Sequence, residues 1–588
     1  MKDFFKSVCA TIVGLLAFGI IIGALCLMSI VGMVASSQAT QSVPDNSVLV
    51  IKLDGSLQEC AEDNLYNMIN GTTTNGLMET LEAIKKAKDN EAVKGIYLEG
   101  GNLGADMAQA QELRDALADF KAAKKWIVAY GEQYSLSAFY VASIADKLYL
   151  NPQGTVEWQG MGGQMVFVKD ALAKIGVKMV PFKCGKYKSA TEMFTEEHMS
   201  EPSRQQTERY LGGWWQTVCQ AVAKSRNIKP DSLQAYADRV VTLEDSKNLI
   251  RYKMVDGLLY NDQVKGVVRS RLGLGKDDVV AQVSVTDMSN APSKEKGDEI
   301  AVYYAWGDIV DERPTQGALN NAHLIVGSEM CDDLERLADD DDVKAVVIRV
   351  NSGGGSAYAS EQIWHQIEAL RTKKPVVVSM GGAAASGGYY ISAAADYIVA
   401  EPTTITGSIG IFGLVLDKSQ LLTDKLGLRY DEVKTNRNAT MGGPMTPMTS
   451  EQMGYVQASV NRGYTLFKSR VARGRRLNMQ QVEERAQGHV FLGSDAIKLK
   501  LVDELGGLDK AVAKAATLAK LAEYHTVPYP APMGMMDQLL GMTNNKGTAL
   551  DEQLRLTLGS FYEPVMLLRS VEQLEPLQAR CPFIITNY

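Results

Sequence analysis

Short apolar runs alternate with amphipathic segments along most of the chain. In the second half, residues 345–350 form an apolar run that ends at a glycine-rich loop, and residues 375–379 form another; each predicts a buried strand. Residues 359–371 carry apolar side chains at helical spacing, and residues 385–395 are rich in small side chains; each predicts a helix. Strands that alternate with helices in this way indicate an α/β fold with mostly parallel sheets.

The N-terminal segment has a different pattern. Residues 8–34 are almost continuously apolar, and no charged residue follows Lys6 until position 45. This run is longer than the roughly 7–15 residues of a signal-peptide core and matches the ~20 residues that cross a bilayer as a helix. Because Lys2 and Lys6 precede it, we expect one N-terminal transmembrane helix that anchors the rest of the chain on the extracytoplasmic (periplasmic) side of the inner membrane. The alternative is a cleaved signal peptide, for which the small residues at 35–37 offer a cleavage site.

The chain also repeats itself at an offset of 250 residues. The matching pairs are mainly glycine, proline and aspartate, residues that fix backbone geometry or end strands. They are Val93/Val343, Gly104/Gly354, Gly131/Gly381, Tyr140/Tyr390, Asp146/Asp396, Pro152/Pro402, Gly160/Gly410 and Gly163/Gly413. One register held over about seventy residues indicates two copies of a common unit.

These patterns divide the chain into five segments. In chain order they are a cytoplasmic N-terminus with the membrane helix (1–46), a first repeat (47–283), a linker (284–298), a second repeat (299–522) and a C-terminal tail (523–588). The linker is polar and contains Pro292 and Gly297. The tail has no counterpart in the first half by sequence.

Composition excludes some classes of function. The net charge of −8 argues against nucleic acid as the main partner, because a phosphate-binding surface needs a basic excess. The seven cysteines are scattered without a Cys-x-x-Cys pair and predict neither a disulfide framework nor a thiolate metal site. The five histidines have no metal-ligand spacing, so we expect neither a metal nor a cofactor.

Residues 376–390 contain a candidate nucleophile. A predicted strand ends in a run without bulky side chains, and Ser386 stands where a helix should begin. Backbone N–H groups at a helix N-terminus are unpaired, so the N–H of Gly387 can face a developing oxyanion. The alternative is that Ser386 is an ordinary helix N-cap and the glycines serve close packing.

A glycine-rich turn provides a candidate for a second oxyanion donor. Residues 351–356 follow the first predicted strand and open the next helix, without the Gly-Lys-Ser/Thr ending of a phosphate-binding loop. If this turn lies beside Ser386, the Gly354 N–H is the most plausible donor to an oxyanion. The alternative is an ordinary tight turn.

With these motifs the chain resembles the long form of the signal peptide peptidase A (protease IV) family in the ClpP/crotonase superfamily. The resemblance covers the apolar N-terminus, both repeats and the serine segment, and it includes the motifs Tyr187-Lys-Ser-Ala190, Thr406-Gly-Ser-Ile-Gly-Ile-Phe-Gly413, Gly488-His-Val490 and Leu501-Val-Asp503. It implies two tandem ClpP/crotonase-like repeats, with Ser386 as the nucleophile, Lys188 as the general base and Ser408 as a residue that positions the lysine. Where the family loop usually reads Asp-Ser-Pro-Gly-Gly, this chain has Asn351 and Gly353 at the first and third places.

The resemblance also implies an activity and an assembly. The expected enzyme is a membrane-anchored serine peptidase with a Ser/Lys dyad, which hydrolyses cleaved signal peptides and other apolar peptides through an acyl-enzyme. The expected assembly is a homotetramer whose mouth lies near the membrane.

The repeat gives an independent reason to pair residues from the two halves. At the offset of 250, Ser386 falls opposite Leu136 and Lys188 falls opposite Asn438, so each copy has one of the two groups and neither half alone should be active. A lysine with its ordinary pKa of ~10.4 is a poor base, so Lys188 must be buried if its neutral form is to be favoured. The ordinary alternative for a lysine is a solvated surface position.

Three other interpretations fit some of the same residues. A Ser-His-Asp triad would need His365, but the apolar residues around it favour a place at the edge of the core. A crotonase-like acyl-CoA enzyme would have a similar oxyanion hole, although coenzyme A is cytoplasmic and the chain is predicted to be exported. A non-catalytic membrane scaffold would assemble the repeats without using Ser386 or Lys188.

Overall fold

The computed structural model describes residues 14, 18–19, 21–22, 43–61, 75–293, 295–313, 323–530 and 577–581. Most of the predicted membrane helix at residues 8–34 lies outside this part of the chain. Within the described residues, no helix is both long and apolar enough to cross a membrane. The anchor therefore stays a prediction from the sequence.

The first half forms eight strands and ten helices within the described residues. The strands are β1 (Ser47–Gln58), β2 (Asn75–Gly76), β3 (Val93–Gly104), β4 (Trp126–Tyr134), β5 (Lys147–Val156), β6 (Lys178–Lys183), β7 (Gly257–Leu258) and β8 (Gln282–Val283). The helices are α1 (Leu77–Asp89), α2 (Met107–Ala122), α3 (Leu136–Ala142), α4 (Lys169–Lys174), α5 (Glu192–Thr195), α6 (Glu201–Arg226), α7 (Pro230–Asp238), α8 (Lys247–Arg251), α9 (Asn261–Arg271) and α10 (Val285–Ser289).

The described part of the second half continues the same alternation. Its strands are β9 (Asp298–Trp306), β10 (Asp308–Val310), β11 (Leu324–Val326), β12 (Val343–Ser352), β13 (Gly354–Ser356), β14 (Val376–Ala385), β15 (Tyr397–Ala400), β16 (Ile405–Gly407), β17 (Phe412–Asp417), β18 (Val490–Leu492), β19 (Glu504–Leu505), β20 (Tyr524–Tyr529) and β21 (Gln578–Arg580). Its helices are α11 (Gly327–Asp339), α12 (Ala357–Arg371), α13 (Gly387–Ser392), α14 (Ser450–Arg475), α15 (Met479–Arg485), α16 (Gly493–Ala496) and α17 (Leu508–Ala519).

Two sheets are mostly parallel, which confirms the predicted α/β class. The first has the order β2-β1-β3-β4-β5-β7, with β8 beside β1, and all its described pairs are parallel. The second has the order β18-β16-β14-β12-β9-β20, with β15 beside β14 and β19 beside β15, and only β18 runs antiparallel to its neighbour. Strands β12 and β14 are buried along nearly their whole length, as expected for central strands covered by helices on both faces.

The third sheet is mixed and joins the two halves. Its order is β11-β10-β13-β21-β17-β6, so a strand of the first half ends a sheet built otherwise from the second half and the tail. Strand β6 pairs antiparallel with β17 over six residues, from Lys183 opposite Phe412 to Lys178 opposite Asp417. The prediction of mostly parallel sheets is thus wrong for this sheet, because β6 and β21 enter it from distant parts of the chain and need no crossover connection.

The elements of the two copies occur at the predicted offset. Strands β3 and β12 begin at Val93 and Val343, and strands β4 and β14 begin at Trp126 and Val376. Contrary to the expectation from the sequence, the first strand of the tail has a counterpart in the first half. Strand β20 runs parallel to β9, just as β8 runs parallel to β1 in the first copy. The domain boundaries at 47–283 and 299–522 stay predictions, and the predicted linker contains α10, which packs on α1.

Strand β14 is longer, and the helix after it shorter, than the sequence pattern predicts. The sequence pattern predicts a strand at 375–379 and a helix at 385–395, but Ala383, Ala384 and Ala385 continue the strand and pair with the three residues of β16. Helix α13 then begins only at Gly387. Alanine favours helices, but at Ala385 the pairing with β16 overrides that propensity.

A buried charge network connects the halves beneath the glycine-rich loop. The Arg349 guanidinium of β12 donates to Glu59 at 2.8 Å and to Glu112 at 2.6 Å, and all three side chains are almost fully buried. Asn351 donates its amide to Glu59 Oε1 at 2.7 Å and to Asp106 Oδ2 at 3.1 Å. Burial raises the pKa of Asp106 to about 6 and that of Glu112 to about 7.

Candidate active site

Ser386 stands at the sharp turn between β14 and α13. Its φ of 55° and ψ of −112° place a non-glycine residue in a sparsely populated region, which costs on the order of 1–3 kcal/mol and has to be stabilised by its surroundings. The Ser386 N–H donates to the Gly407 carbonyl at 2.8 Å, which holds the turn against β16. Although Ser386 occupies the N-cap position, its side chain makes no capping hydrogen bond. The N-cap alternative for its hydroxyl is therefore wrong.

Lys188 reaches the same place from the first half. It lies just beyond β6, in a turn where the Tyr187 N–H donates to the Gln487 carbonyl at 2.9 Å. Its side chain is completely buried. Lys188 Nζ lies 2.7 Å from Ser386 Oγ, 3.1 Å from Ser408 Oγ and 3.3 Å from the Ser408 carbonyl oxygen. The structure thus brings together the three polar side chains that the sequence and the resemblance singled out.

The surroundings of Lys188 disfavour its charged form. Burial lowers its pKa from the ordinary value to about 7, against a small opposing effect of Cys581. Lys188 Nζ lies over the ring of Phe412, 5.9 Å from its centroid. The neighbouring Lys183 and Lys186 are exposed, which is the ordinary environment for a lysine.

Ser408 is held by backbone contacts on a second strained turn. Its φ is 48°, in the left-handed region, and its N–H donates to the His489 carbonyl at 2.7 Å. Strand β16 precedes it, and β18, which begins at Val490, pairs antiparallel with that strand. The segment from His489 onwards therefore fixes Ser408 and, through it, one side of the lysine.

The two candidate oxyanion donors lie against each other. A β-carbon on Gly354, whose φ is +99°, would lie 2.6 Å from the Gly387 amide nitrogen, so only glycine allows this approach. The Gly387 N–H heads α13 and has no acceptor within the helix. The Gly354 N–H donates to Ser352 Oγ at 3.1 Å. The structure thus places the two glycines side by side, and the Gly354 N–H has an internal partner that the sequence did not suggest.

Two further glycines make room for the lysine. A β-carbon on Gly488, whose φ is +74°, would lie 2.8 Å from the backbone nitrogen and 2.8 Å from the β-carbon of Lys188. A β-carbon on Gly410 would lie 3.2 Å from Lys188 Cδ. The sequence contained both glycines in motifs of the resemblance, but nothing in their spacing indicated contact with a residue of the other half.

Gln206 ties the lysine turn to the second half. This buried side chain of α6 donates its amide to the Tyr187 carbonyl at 3.1 Å and to Ser189 Oγ at 3.2 Å, on either side of Lys188. Its oxygen accepts from the Val490 N–H at 3.2 Å. A glutamine within a long helix carries no sequence signal for such a role, so only the structure identifies it.

The first copy has a serine at the corresponding helix N-cap, but it is a structural one. Ser135 precedes α3 with φ −62°, and its Oγ accepts from the Ala138 N–H at 3.3 Å. At the offset of 250, Leu136 falls opposite Ser386 as the sequence predicts, because the strands begin at Trp126 and Val376 and the helices end at the C-caps Ser143 and Ala393. Strand β4 has nine residues and β14 has ten, so the boundary between strand and helix lies one residue later in the second copy and the N-caps lie 251 positions apart. Ser386 differs from Ser135 in its positive φ and in its contact with Lys188.

His365 takes no part in this arrangement. It is exposed on α12, rather than at the edge of the core as the sequence suggested. The described partner of the Ser386 hydroxyl is a lysine at hydrogen-bond distance, and its second described contact is the Gly410 carbonyl at 3.5 Å. The geometry gives no support to a histidine-based triad.

A short strand of the tail lies beside the same residues. Strand β21 pairs antiparallel with β13, with Ala579 opposite Gly355, and Ala579 is fully buried. A β-carbon on Gly387 would lie 2.9 Å from the Ala579 carbonyl oxygen. Cys581 is close enough to Lys188 to affect its pKa. No sequence signal predicts this contact, since the tail was set apart from the repeats only because it has no counterpart in the first half.

Comparisons with known proteins find matches among peptidases. The family model for peptidase family S49 matches residues 119–274 and again residues 368–522, and a Clp protease model matches residues 319–404. Protease 4 of Salmonella typhi is 37% identical over 496 residues, which cover 82% of this chain and 79% of that protein. Protease 4 of Haemophilus influenzae is 34% identical over 84% of this chain and 82% of its own length, and the chloroplastic serine protease SPPA of Arabidopsis thaliana is 27% identical over 88% and 77%.

Proposed function

The chain belongs to peptidase family S49 through both of its repeats and is a serine protease, and we propose that it hydrolyses peptide bonds with Ser386 as nucleophile and Lys188 as general base. The observation that carries this assignment is the 2.7 Å separation of Lys188 Nζ and Ser386 Oγ at a site where both residues are completely buried. A nucleophile and its base need hydrogen-bond contact of this kind.

The hydrogen bonds around Lys188 suit a neutral amine. Such an amine has two N–H donors and one lone pair. The carbonyl and hydroxyl oxygens of Ser408 can accept the two N–H groups, at 3.3 and 3.1 Å, and the lone pair is then left to accept the Ser386 O–H. With a pKa of about 7, a large fraction of Lys188 is neutral near neutral pH and ready to accept that proton.

The reaction then follows acyl transfer. The Ser386 O–H gives its proton to Lys188 Nζ while Oγ bonds to the scissile carbonyl carbon, and the carbonyl oxygen becomes an oxyanion. The N–H groups of Gly387 and Gly354 would hold this oxyanion, for which the Gly354 N–H has to share or exchange its bond to Ser352 Oγ. Collapse breaks the C–N bond, and protonated Lys188 gives the proton to the leaving amine. Water repeats the cycle on the ester and releases Ser386, without a cofactor.

The substrates we propose are cleaved signal peptides and other apolar peptides in the cell envelope. The support is the resemblance described above, together with the uncharged N-terminal run at residues 8–34, which would hold the chain at the inner membrane with its repeats on the periplasmic side. A peptide left in the bilayer after protein export is then within reach of the site.

We also propose a homotetramer. The segment after β17 exposes several large apolar side chains, including Leu426, Tyr430 and Val433, the last of which is 97% exposed. Apolar surface of this kind is commonly covered by a partner subunit. Sedimentation of the detergent-solubilised chain should give a tetramer, and Val433→Glu should shift it towards smaller species; a native monomer would contradict the proposal.

The acyl-enzyme provides the direct test of the catalytic assignment. We expect brief incubation with an apolar peptide ester, followed by acid quench, to give a protein mass increased by the acyl group, with the adduct on the peptide that contains Ser386. Ser386→Ala should give no adduct. An adduct on another residue, or undiminished hydrolysis by Ser386→Ala, would overturn the assignment.

A further inference from the structure

The tail strand β21 occupies the groove between β13 and β17, where its Ala579 carbonyl lies beside Gly387, the residue next to Ser386. On one side it pairs antiparallel with β13, in the register Gly354 opposite Arg580, Gly355 opposite Ala579 and Ser356 opposite Gln578. On the other side Gln578 pairs with Phe412 of β17. An extended segment thus completes a sheet between two strands that would otherwise present free edges, which is how many proteins bind peptides.

The strand runs towards the proposed catalytic residues. The Ala357 N–H donates to the Leu577 carbonyl at one end, and the Cys581 N–H donates to the Gly353 carbonyl at the other. Ala579 and Cys581 are both buried, and Cys581 is the tail residue that interacts with Lys188. On the side of β13 the groove is lined by the backbone of Gly354 and Gly355. Main-chain pairing with these residues can bind an extended peptide whatever its side chains.

One side chain of the groove recognises a particular residue of the tail. Because side chains alternate along a strand, Arg580 lies on the opposite face from Ala579 and Cys581. Its Nη2 lies 2.6 Å from Asp308 Oδ2. Asp308 is the first residue of β10, which follows the left-handed turn at Gly307 and pairs with β13 through Ile309 and Gly355. The carboxylate is therefore fixed relative to the groove by the same sheet that binds the peptide.

We propose that β21 holds the place of a substrate and that Asp308 determines specificity, selecting arginine or lysine immediately before the residue that reaches Lys188. This inference rests on the proposed function of the site. Substrate and tail then compete for the same carboxylate, so the chain's own C-terminal segment limits access to the dyad. The ion pair is partly exposed, with 43% of the Asp308 side chain accessible. Its effect on kcat/KM should therefore be severalfold and should weaken with added salt.

Charge reversal in the full chain tests the competition. Hydrolysis of a neutral fluorogenic peptide should rise about fivefold in kcat/KM at low ionic strength for Arg580→Glu and for Asp308→Lys, since each replaces attraction by repulsion. The double variant, with the pair reversed, should return to the native rate. The matched control is Arg313→Glu, which breaks the exposed Arg313–Glu329 pair of the same half and should leave the rate unchanged.

Competition by synthetic peptides tests the selection itself. In the Arg580→Glu chain, the peptide Leu-Gln-Ala-Arg-Ser should inhibit about fivefold more strongly than Leu-Gln-Ala-Glu-Ser, and in the double variant this order should reverse. Equal inhibition by the two peptides in both chains would overturn the role of Asp308, and a native rate for Arg580→Glu would overturn the competition. Ser386→Ala, made in each background, should abolish hydrolysis throughout; persisting hydrolysis there would count against the proposed function instead.

Discussion

Lys188 Nζ and Ser386 Oγ lie 2.7 Å apart although the two residues come from different copies of the repeat. The contact depends on β6, which leaves the first half and pairs with β17 of the second. Lys188 follows that strand by five residues and arrives beneath Ser386 completely buried. Neither copy contains both groups, so the proposed site draws one residue from each of the two units.

Lys188→Met should abolish peptide hydrolysis while leaving the fold intact. Methionine has a similar length and no base, and it removes a polar group that has to be desolvated at this position. We expect kcat/KM to fall by at least about a thousandfold, because general-base and nucleophilic catalysis are lost together. Lys186→Met, two residues away on the surface, is the control and should keep native activity. A loss of less than tenfold in Lys188→Met would exclude Lys188 as the base.

The rate should depend on the protonation of Lys188. Its pKa is lowered to about 7, so the neutral base is the minor form below that pH and the dominant form above it. We therefore expect kcat/KM to rise with pH through an inflection near 7 and to level off by about pH 8.5, one and a half units above the inflection. The measurement is a pH–rate profile with a substrate that has no titrating group. An inflection near 10 would mean that the lysine is solvated during catalysis.

Gly488→Ala should lower the turnover number by displacing Lys188. The added β-carbon would lie 2.8 Å from both the backbone nitrogen and the β-carbon of the lysine, and a shift of about 1 Å can cost about a hundredfold in rate. Gly442→Ala separates this effect from backbone strain. Gly442 also has a positive φ, of +85°, but a β-carbon there meets nothing within 4 Å. The control should lose about 1–2 kcal/mol of stability, the cost of placing alanine in the left-handed region, and keep its kcat. Equal losses of kcat in both variants would contradict the steric argument.

Ser408→Ala should lower kcat about 10- to 100-fold with little change in KM. The hydroxyl contacts Lys188 at 3.1 Å, and its loss leaves the lysine with one fewer partner to orient it, a loss worth about 1–3 kcal/mol. Ser392→Ala is matched to it, because Ser392 is equally buried, lies on α13 and donates only to the Gly388 carbonyl among the described contacts. That variant should retain its kcat. A rise in KM alone for Ser408→Ala would indicate contact with substrate instead.

Arg349→Met should destabilise the junction between the halves. It leaves Glu59 and Glu112 buried without their cation, which costs about 3–5 kcal/mol. Burial already raises the pKa of Glu112 to about 7, so lowering the pH neutralises the uncompensated charge, and the loss should be smaller at pH 5 than at pH 8. Chemical denaturation at the two pH values measures it. Arg371→Met, which removes a partly exposed arginine with two carboxylate partners, should cost less than about 1 kcal/mol.

Hydrophobic periodicity predicted the strands that carry the site but not the sheet that assembles it. The runs at 345–350 and 375–379 correspond to β12 and β14, because a strand buried on both faces needs an unbroken apolar sequence. Strand β6 is a short edge strand with proline at position 181, and its sequence does not specify a partner in the other half. The contact between the two proposed catalytic residues could therefore be inferred only from the resemblance and the complementary copies.

Asn351 shows how the structure explains a departure from the family loop. At this place the family usually has aspartate, whereas here the neutral amide donates to Glu59 and Asp106 and its oxygen accepts from the Ala383 N–H at 3.0 Å. An aspartate would add a third carboxylate to this buried cluster and would have no hydrogen to donate. The compensating acids lie some 240 to 290 positions away in sequence, so the substitution could not be explained before the fold was known.

Ser135 and Ser386 occupy matching helix N-caps, yet one caps its helix and the other contacts a lysine. Strand β14 ends and α13 begins one residue later than β4 and α3, whereas the first residues of the strands and the C-caps of the helices keep the offset of 250. No residue is therefore inserted or deleted, and the boundary between strand and helix has moved along a chain of unchanged length. In a duplicated protein, a hydroxyl can thus stand at the helix N-cap of both copies and contact a lysine in only one of them. An evolutionary comparison that scores only aligned positions would pair Ser386 with Leu136 and miss the serine at the matching N-cap.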